Sequence, residues 1–176
     1  MALIVETGAG VANAECYADV TACAAYSTAF YGASLNGSTA DKEAAIRRAT
    51  AYLNGLAWKG TRTLGRAQSL AWPRSGVTDC ESLSIGANEI PTDLINAQHE
   101  LARAEFLTPG ALTPSLSKAT ATVSSEKVDV IQITYDTDNL TGSIEDARII
   151  VTAAMDKIKC YLSSPVGATR IVAVVV

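Results

Sequence analysis

One histidine, two phenylalanines, two tryptophans and charged side chains at only 18% of 176 positions make this chain poor in the residues that usually carry chemistry. The lone imidazole, His99, stands between Gln98 and Glu100 with no serine or cysteine in a nucleophile turn beside it, so a structural or interface role is expected. The four cysteines, Cys16, Cys23, Cys80 and Cys160, include no pair at the close spacing that lets two thiolates share a tetrahedral ion, which excludes a zinc site. They read as reduced, partly buried thiols, although Cys16 and Cys23, seven apart, could share a helix face or pair if oxidised. The start, MALIVETGAG, lacks the basic residues and apolar run of a signal peptide, and nothing approaches the ~18 apolar residues needed to span a bilayer. Synthesis in a cytoplasm without membrane association is the expectation. Positive charge is also short: a net charge of -4 excludes coating nucleic acid by bulk electrostatics, because such binding scales with the phosphates neutralised.

Two apparent motifs dissolve on inspection. Gly8-Ala9-Gly10 suggests a phosphate loop, but Asn13 stands where GxGxxG needs its third glycine and no βαβ pattern follows, so a turn is expected. The acidic pairs Asp136/Asp138 and Glu145/Asp146 fall in a turn and at a helix start, where carboxylates complement the helix dipole without catalytic work. No constellation supports an enzyme, and no cofactor is expected.

What the chain does have is apolar material, 48% of its residues, enough for one sizeable core. Its spacing finds helices. Asp19 can cap the first, with Val20, Cys23, Ala24, Ser27, Phe30 and Tyr31 turned inward before GASLNGST ends it. Ser38 or Thr39 opens a second with Ile46, Ala49, Leu53 and Leu56 on one face, weakening at Asn54-Gly55. Ile90-Pro91 opens a third, striped by Leu94, Ala97, Leu101 and Ala104 and stopped by Thr108-Pro109-Gly110. The clearest rhythm is a fourth, Ile144, Ala147, Val151, Ala154, Ile158 and Tyr161, ending before Ser163-Ser164-Pro165.

Between the third and fourth the period becomes two. Val128, Val130, Ile131, Ile133 and Tyr135 form a β-rich run preceded by SKATATVSSEK, which predicts a hairpin over about 117–135 with its turn near Ser125 to Lys127. The final ATRIVAVVV is a strand-like run without a polar face, suited to pairing with a partner's sheet edge or with the chain's own hairpin through Ile171, Val172, Val174 and Val176. The expected fold is therefore mainly α: a small bundle of about four helices over residues 1–165 with an inserted β-hairpin and long loops, followed by an extended tail over 166–176.

Charge is unevenly placed. Between Asp41 and Arg74 stand Lys42, Arg47, Arg48, Lys59, Arg62, Arg66 and Arg74 against Asp41 and Glu43, a net of +5 that leaves -9 for the rest. Trp58 and Trp72 interleave with these cations, the composition of a surface that stacks bases on rings and meets phosphates with guanidiniums. The alternative makes the tryptophans core anchors and the arginines ion-pair partners. On that alternative, Arg47, Arg48 and Lys59 meet an acidic surface instead of DNA.

The segment AWPRSGVTD, residues 71–79, is the densest cluster of committed residue types. Trp72 is expected to plug into the core, contributing ~2 to 3 kcal/mol, with Pro73 fixing the backbone, Arg74 pointing away and Ser75-Gly76 turning the chain back. The crossover from Trp58 to Ile90 is then an irregular loop pinned at its centre with two arms free.

The order MALIVETGAGVANAECYADVTACAAY, DKEAAIRRATAYLNG, WKGTRTLGRAQSLAWPRSGVTD, IPTDL and EKVDVIQITYD resembles a family of tailed-phage proteins catalogued as DnaT-like single-stranded-DNA-binding proteins, which look like head-to-tail connectors, or adaptors. The resemblance runs to about residue 162. It implies a non-enzymatic virion component, a dodecameric ring beneath the portal that extends the DNA channel. Its expected partners are copies of itself, the portal protein, the next neck or tail-completion protein, and packaged DNA contacted without sequence specificity. Arg62, Arg66 and the tail would then be subunit or partner contacts. Single-stranded-DNA binding, the role in the family's catalogue name, is the second reading.

Overall fold

Polar caps set the helix boundaries. The Asp19 carboxylate accepts from the Ala22 amide at 2.8 Å and opens α1, Val20–Tyr31, which closes where Gly32 takes the left-handed conformation at φ 63°. Ser38 caps α2, Thr39–Asn54, accepting from the Asp41 amide at 3.1 Å while its hydroxyl meets the Asp41 carboxylate at 2.6 Å. Pro91 immediately precedes α3, Thr92–Leu107. The computed structural model describes residues 2–113, 125–128, 131–134 and 151–163.

The fold is mainly helical, with α3 at its centre: α1, α2 and α4, Thr152–Ile158, all pack on it, and a 3-10 turn, Lys159–Tyr161, continues α4. The apolar stripes meet where the spacing puts them, with Leu94, Ala97 and Leu101 of α3 facing Ile46, Ala49 and Leu53 of α2, all buried. Ala49, Ala97 and Ala154 are wholly inaccessible to solvent, and small side chains there allow the helix axes to approach closely. Gln98, also fully buried on α3, accepts from the Tyr17 amide at 2.6 Å and donates to the Ala18 carbonyl at 3.0 Å, which ties the N-terminal segment to the core.

The crossover between α2 and α3 is more ordered than its composition suggests. Strands β1, Thr61–Arg62, and β2, Arg74–Ser75, pair antiparallel with Thr61 opposite Ser75 and Arg62 opposite Arg74, and a 3-10 turn, Gly65–Ala67, lies between them. Neither arm is free. The first is held by this ribbon, and the second by a turn around Asp79, whose carboxylate accepts from the Glu81 and Leu83 amides at 2.9 and 2.8 Å. A disulfide between Cys80 and Cys160 then joins the second arm to the turn after α4. This corrects the expectation of reduced thiols for that pair: the two residues stand 80 apart, so only the tertiary fold brings them together. Cys16 and Cys23 are free, and Cys16 precedes α1, so they do not share its face.

Three further expectations change. Phe30 and Tyr31 are 65% and 42% exposed, and Tyr26 takes the inward position instead. Tyr26 and its neighbour Ser27 are both buried, whereas Phe30 and Tyr31 stand in the last turn of α1, one turn beyond them, with Phe30 stacked on the outer side of the Tyr26 ring. The hairpin exists, as β3, Ser125–Val128, paired antiparallel with β4, Ile131–Thr134, but Val128 opposite Ile131 closes it, so Ser125 to Lys127 are strand, not turn. An antiparallel ladder is built by backbone groups and accepts polar side chains. Of the fourth helix, Ala154, Ile158 and Tyr161 are buried as the rhythm requires, but Val151, expected on the same stripe, is extended and precedes α4, a backbone that its β-branched side chain favours. Residues 144–150 lie outside the described residues, as does the tail with Ile171, Val172, Val174 and Val176.

Candidate nucleic-acid interface

Folding divides the basic and aromatic mixture of residues 41–74. Trp72 is fully buried, its ring edge-on to Trp58 at 5.7 Å and to Tyr161 at 5.9 Å between centroids. The Trp58 indole is buried too and donates to the Leu53 carbonyl at 2.8 Å. Neither ring can stack on a base. The peptide bond between Trp72 and Pro73 is cis, and the segment is held by the Tyr17 hydroxyl, which accepts from the Trp72 amide at 3.2 Å, and by Asn54, which accepts from the Ala71 amide at 2.7 Å.

Several of the cations are committed within the chain. Arg47 pairs with Glu15 at 2.8 Å and with Glu43 at 3.5 Å, which holds the Glu15 carboxyl below its ordinary range. Arg48 pairs with Glu105 at 2.6 Å. Burial pushes the Glu105 carboxyl up, but the Gly110 and Leu112 amides and Arg48 outweigh it and leave the group below the carboxylate norm. Arg74 turns back onto its own loop, donating to the carbonyls of Lys59 at 2.7 Å, Ala71 at 3.1 Å and Gly60 at 2.6 Å. Its expected outward direction is thereby corrected: the tight ribbon presents three unpaired carbonyls that a guanidinium satisfies. Lys42, Lys59, Arg62 and Arg66 meet no carboxylate among the described residues; Lys59 donates to the Cys160 carbonyl at 2.7 Å, and Arg62 and Arg66 are exposed around the ribbon. This is a cationic edge without an exposed ring.

The glycine turn is filled from inside. Gly8 and Gly10, at φ 96° and 72°, aim their amides, with that of Val11, at the buried Glu6 carboxylate, each at 2.9 Å. An internal anion thus occupies the cradle that a phosphate would need.

A second surface joins rings to cations. At the C-terminal end of α1, Phe30 stacks on Tyr26 with centroids 4.3 Å apart, and Tyr26 lies 4.9 Å from His99, so a ladder of rings runs from solvent into the core. The Arg103 guanidinium lies 3.8 Å over the Tyr31 ring, and the Lys157 ammonium is 6.0 Å from that of Phe30. Arg103 Nε is buried and has no hydrogen-bond partner. Beneath, Glu100 accepts hydrogen bonds from the Tyr26 hydroxyl at 2.6 Å and from that of Tyr31. Both phenols are pushed up, Tyr26 chiefly by burial and Tyr31 chiefly by its bond to Glu100. The apolar spacing alone places Phe30 and Tyr31 in the core; the sequence signal against that is their position in the last turn, directly before Gly32.

The sequence matches the family described as "Putative DnaT-like ssDNA binding protein" over residues 1–175. No curated protein and no solved structure matches it. The match corrects the connector reading, with its ring and its portal and neck partners, because residues 1–175 fit a family described by single-strand binding. Among the described residues no helix is long and apolar enough to cross a membrane. From residue 1 to residue 175, then, the chain belongs to the DnaT-like ssDNA-binding family.

Proposed function

We propose that this protein binds single-stranded DNA, without catalysing a reaction on it, at the surface formed by Phe30, Tyr31, Arg103 and Lys157. The observation that carries the reading is the pairing of two exposed rings with two cations at one end of α1, in a chain of this family. Bases exposed in a single strand stack on aromatic faces, while guanidinium and ammonium groups meet the adjoining phosphates. A duplex hides its base faces, leaving phosphates and groove edges, on which an aromatic ring cannot stack. Two cations neutralising two phosphates give a logarithmic salt slope of about -1.4 for a single strand. Recruiting Lys42, Lys59, Arg62 and Arg66 as well would steepen it to about -4.

The test is fluorescence anisotropy of a labelled single strand and of the same sequence as duplex, across about 50 to 200 mM salt. The expected result is preferential binding of the single strand with the shallow slope. Equal binding of duplex, or no binding at the lowest salt, overturns the reading.

A further inference from the structure

Glu100 is a buried carboxylate with no cation paired to it among the described residues; Arg103, one helical turn on, lies instead over the Tyr31 ring. Placing a carboxylate in such a site is costly unless its oxygens are hydrogen-bonded, and an apolar side chain would fill the space without that cost. Its two oxygens divide the work. One accepts from Tyr26, the ring on which Phe30 stacks; the other accepts from Tyr31. Tyr31 is the last residue of α1, where helical neighbours restrain a side chain least, and α3 holds it at both its hydroxyl and its ring face.

We propose that Glu100 is a positioning residue for the nucleic-acid surface: through two tyrosine hydroxyls it fixes the orientation of both exposed rings, Tyr31 directly and Phe30 by way of Tyr26. This rests on the single-strand reading above. Rings held in place before contact lose less freedom when a base stacks on them, so the carboxylate raises affinity without touching DNA. With the Tyr31 hydroxyl committed to Glu100, the surface offers ring faces more than directional base contacts, which suits sequence-tolerant binding.

Oligonucleotide affinity and thermal stability of the full chain test this together. Glu100→Gln in the native background should weaken binding by about three- to tenfold, the scale of one hydrogen bond. In a Tyr26→Phe/Tyr31→Phe background Glu100 holds no hydroxyl, so Glu100→Gln should leave affinity unchanged and raise the melting temperature by relieving an unpaired carboxylate. Equal affinity loss in both backgrounds would assign Glu100 a merely structural role and overturn the proposal. Phe30→Ala separates the two readings in the same assay. Loss of binding there with no effect of Glu100→Gln rejects positioning alone, whereas undiminished binding by Phe30→Ala rejects the surface itself and the positioning with it.

Discussion

His99 shows how far tertiary surroundings move a single residue. It is buried against Tyr26, its Nδ1 has no hydrogen-bond partner, and burial lowers its pKa to about 4, with Glu100 and Asp19 pulling weakly the other way. The unfolded chain takes up a proton near pH 6.5 while the folded chain resists until about 4, so the unfolded state binds more protons in that window. Stability should therefore fall as pH drops from about 6.5 toward 4. Urea unfolding between pH 7.5 and 5 should show this decline, and His99→Gln should flatten it; an unchanged slope in the variant would place the titration elsewhere. At this scale the sequence conveys identity more readily than partnership. The Trp72-Pro73 pair announces a restricted backbone by composition alone. Glu43, four residues before Arg47, is a local partner that the helical spacing shows. Glu15 and Glu105, which bind Arg47 and Arg48 at shorter distance, stand 32 and 57 residues away, and no local pattern points to them.

Elements were legible where their ends carry local chemistry. Asp19, Ser38 and Pro91 mark three helix starts in the sequence, and the four-helix organisation with its hairpin follows from apolar period and turn residues. The hairpin turn was misplaced because Ser125 to Lys127 are polar, and polarity distinguishes a turn from a two-stranded ribbon poorly. Cys80–Cys160 was invisible for a different reason: a crosslink is a property of the folded path. It yields a direct expectation. Burial pushes the Cys16 thiol to about 12 and that of Cys23 to about 11, so neither is a ready nucleophile. Alkylation followed by mass spectrometry should label no cysteine in the native protein. Denaturation without reductant should expose Cys16 and Cys23, and added reductant should expose Cys80 and Cys160 as well. Labelling of Cys80 in the native, unreduced protein would contradict the crosslink.

For the molecule as a whole, the excess of negative charge decides what kind of binder this can be. Long-range fields repel a polyanion, so attachment must be local, short in footprint and weakly dependent on salt. The composition of residues 41–74 suggested a strand-binding face, yet packing takes both tryptophans inside and commits Arg47, Arg48 and Arg74 to internal partners. The surface at Phe30 is assembled from α1, α3 and α4, and no linear stretch contains it. Comparing single-strand affinity for Phe30→Ala with that for the Arg62→Ala/Arg66→Ala double variant tests the assignment most directly. Stacking of one base on an aromatic ring contributes about 1 to 3 kcal/mol, so Phe30→Ala should weaken binding roughly 5- to 150-fold while the double variant stays within about threefold of the native protein. Native affinity in Phe30→Ala, with binding lost in the double variant, would move the site to the β1–β2 ribbon and contradict the account.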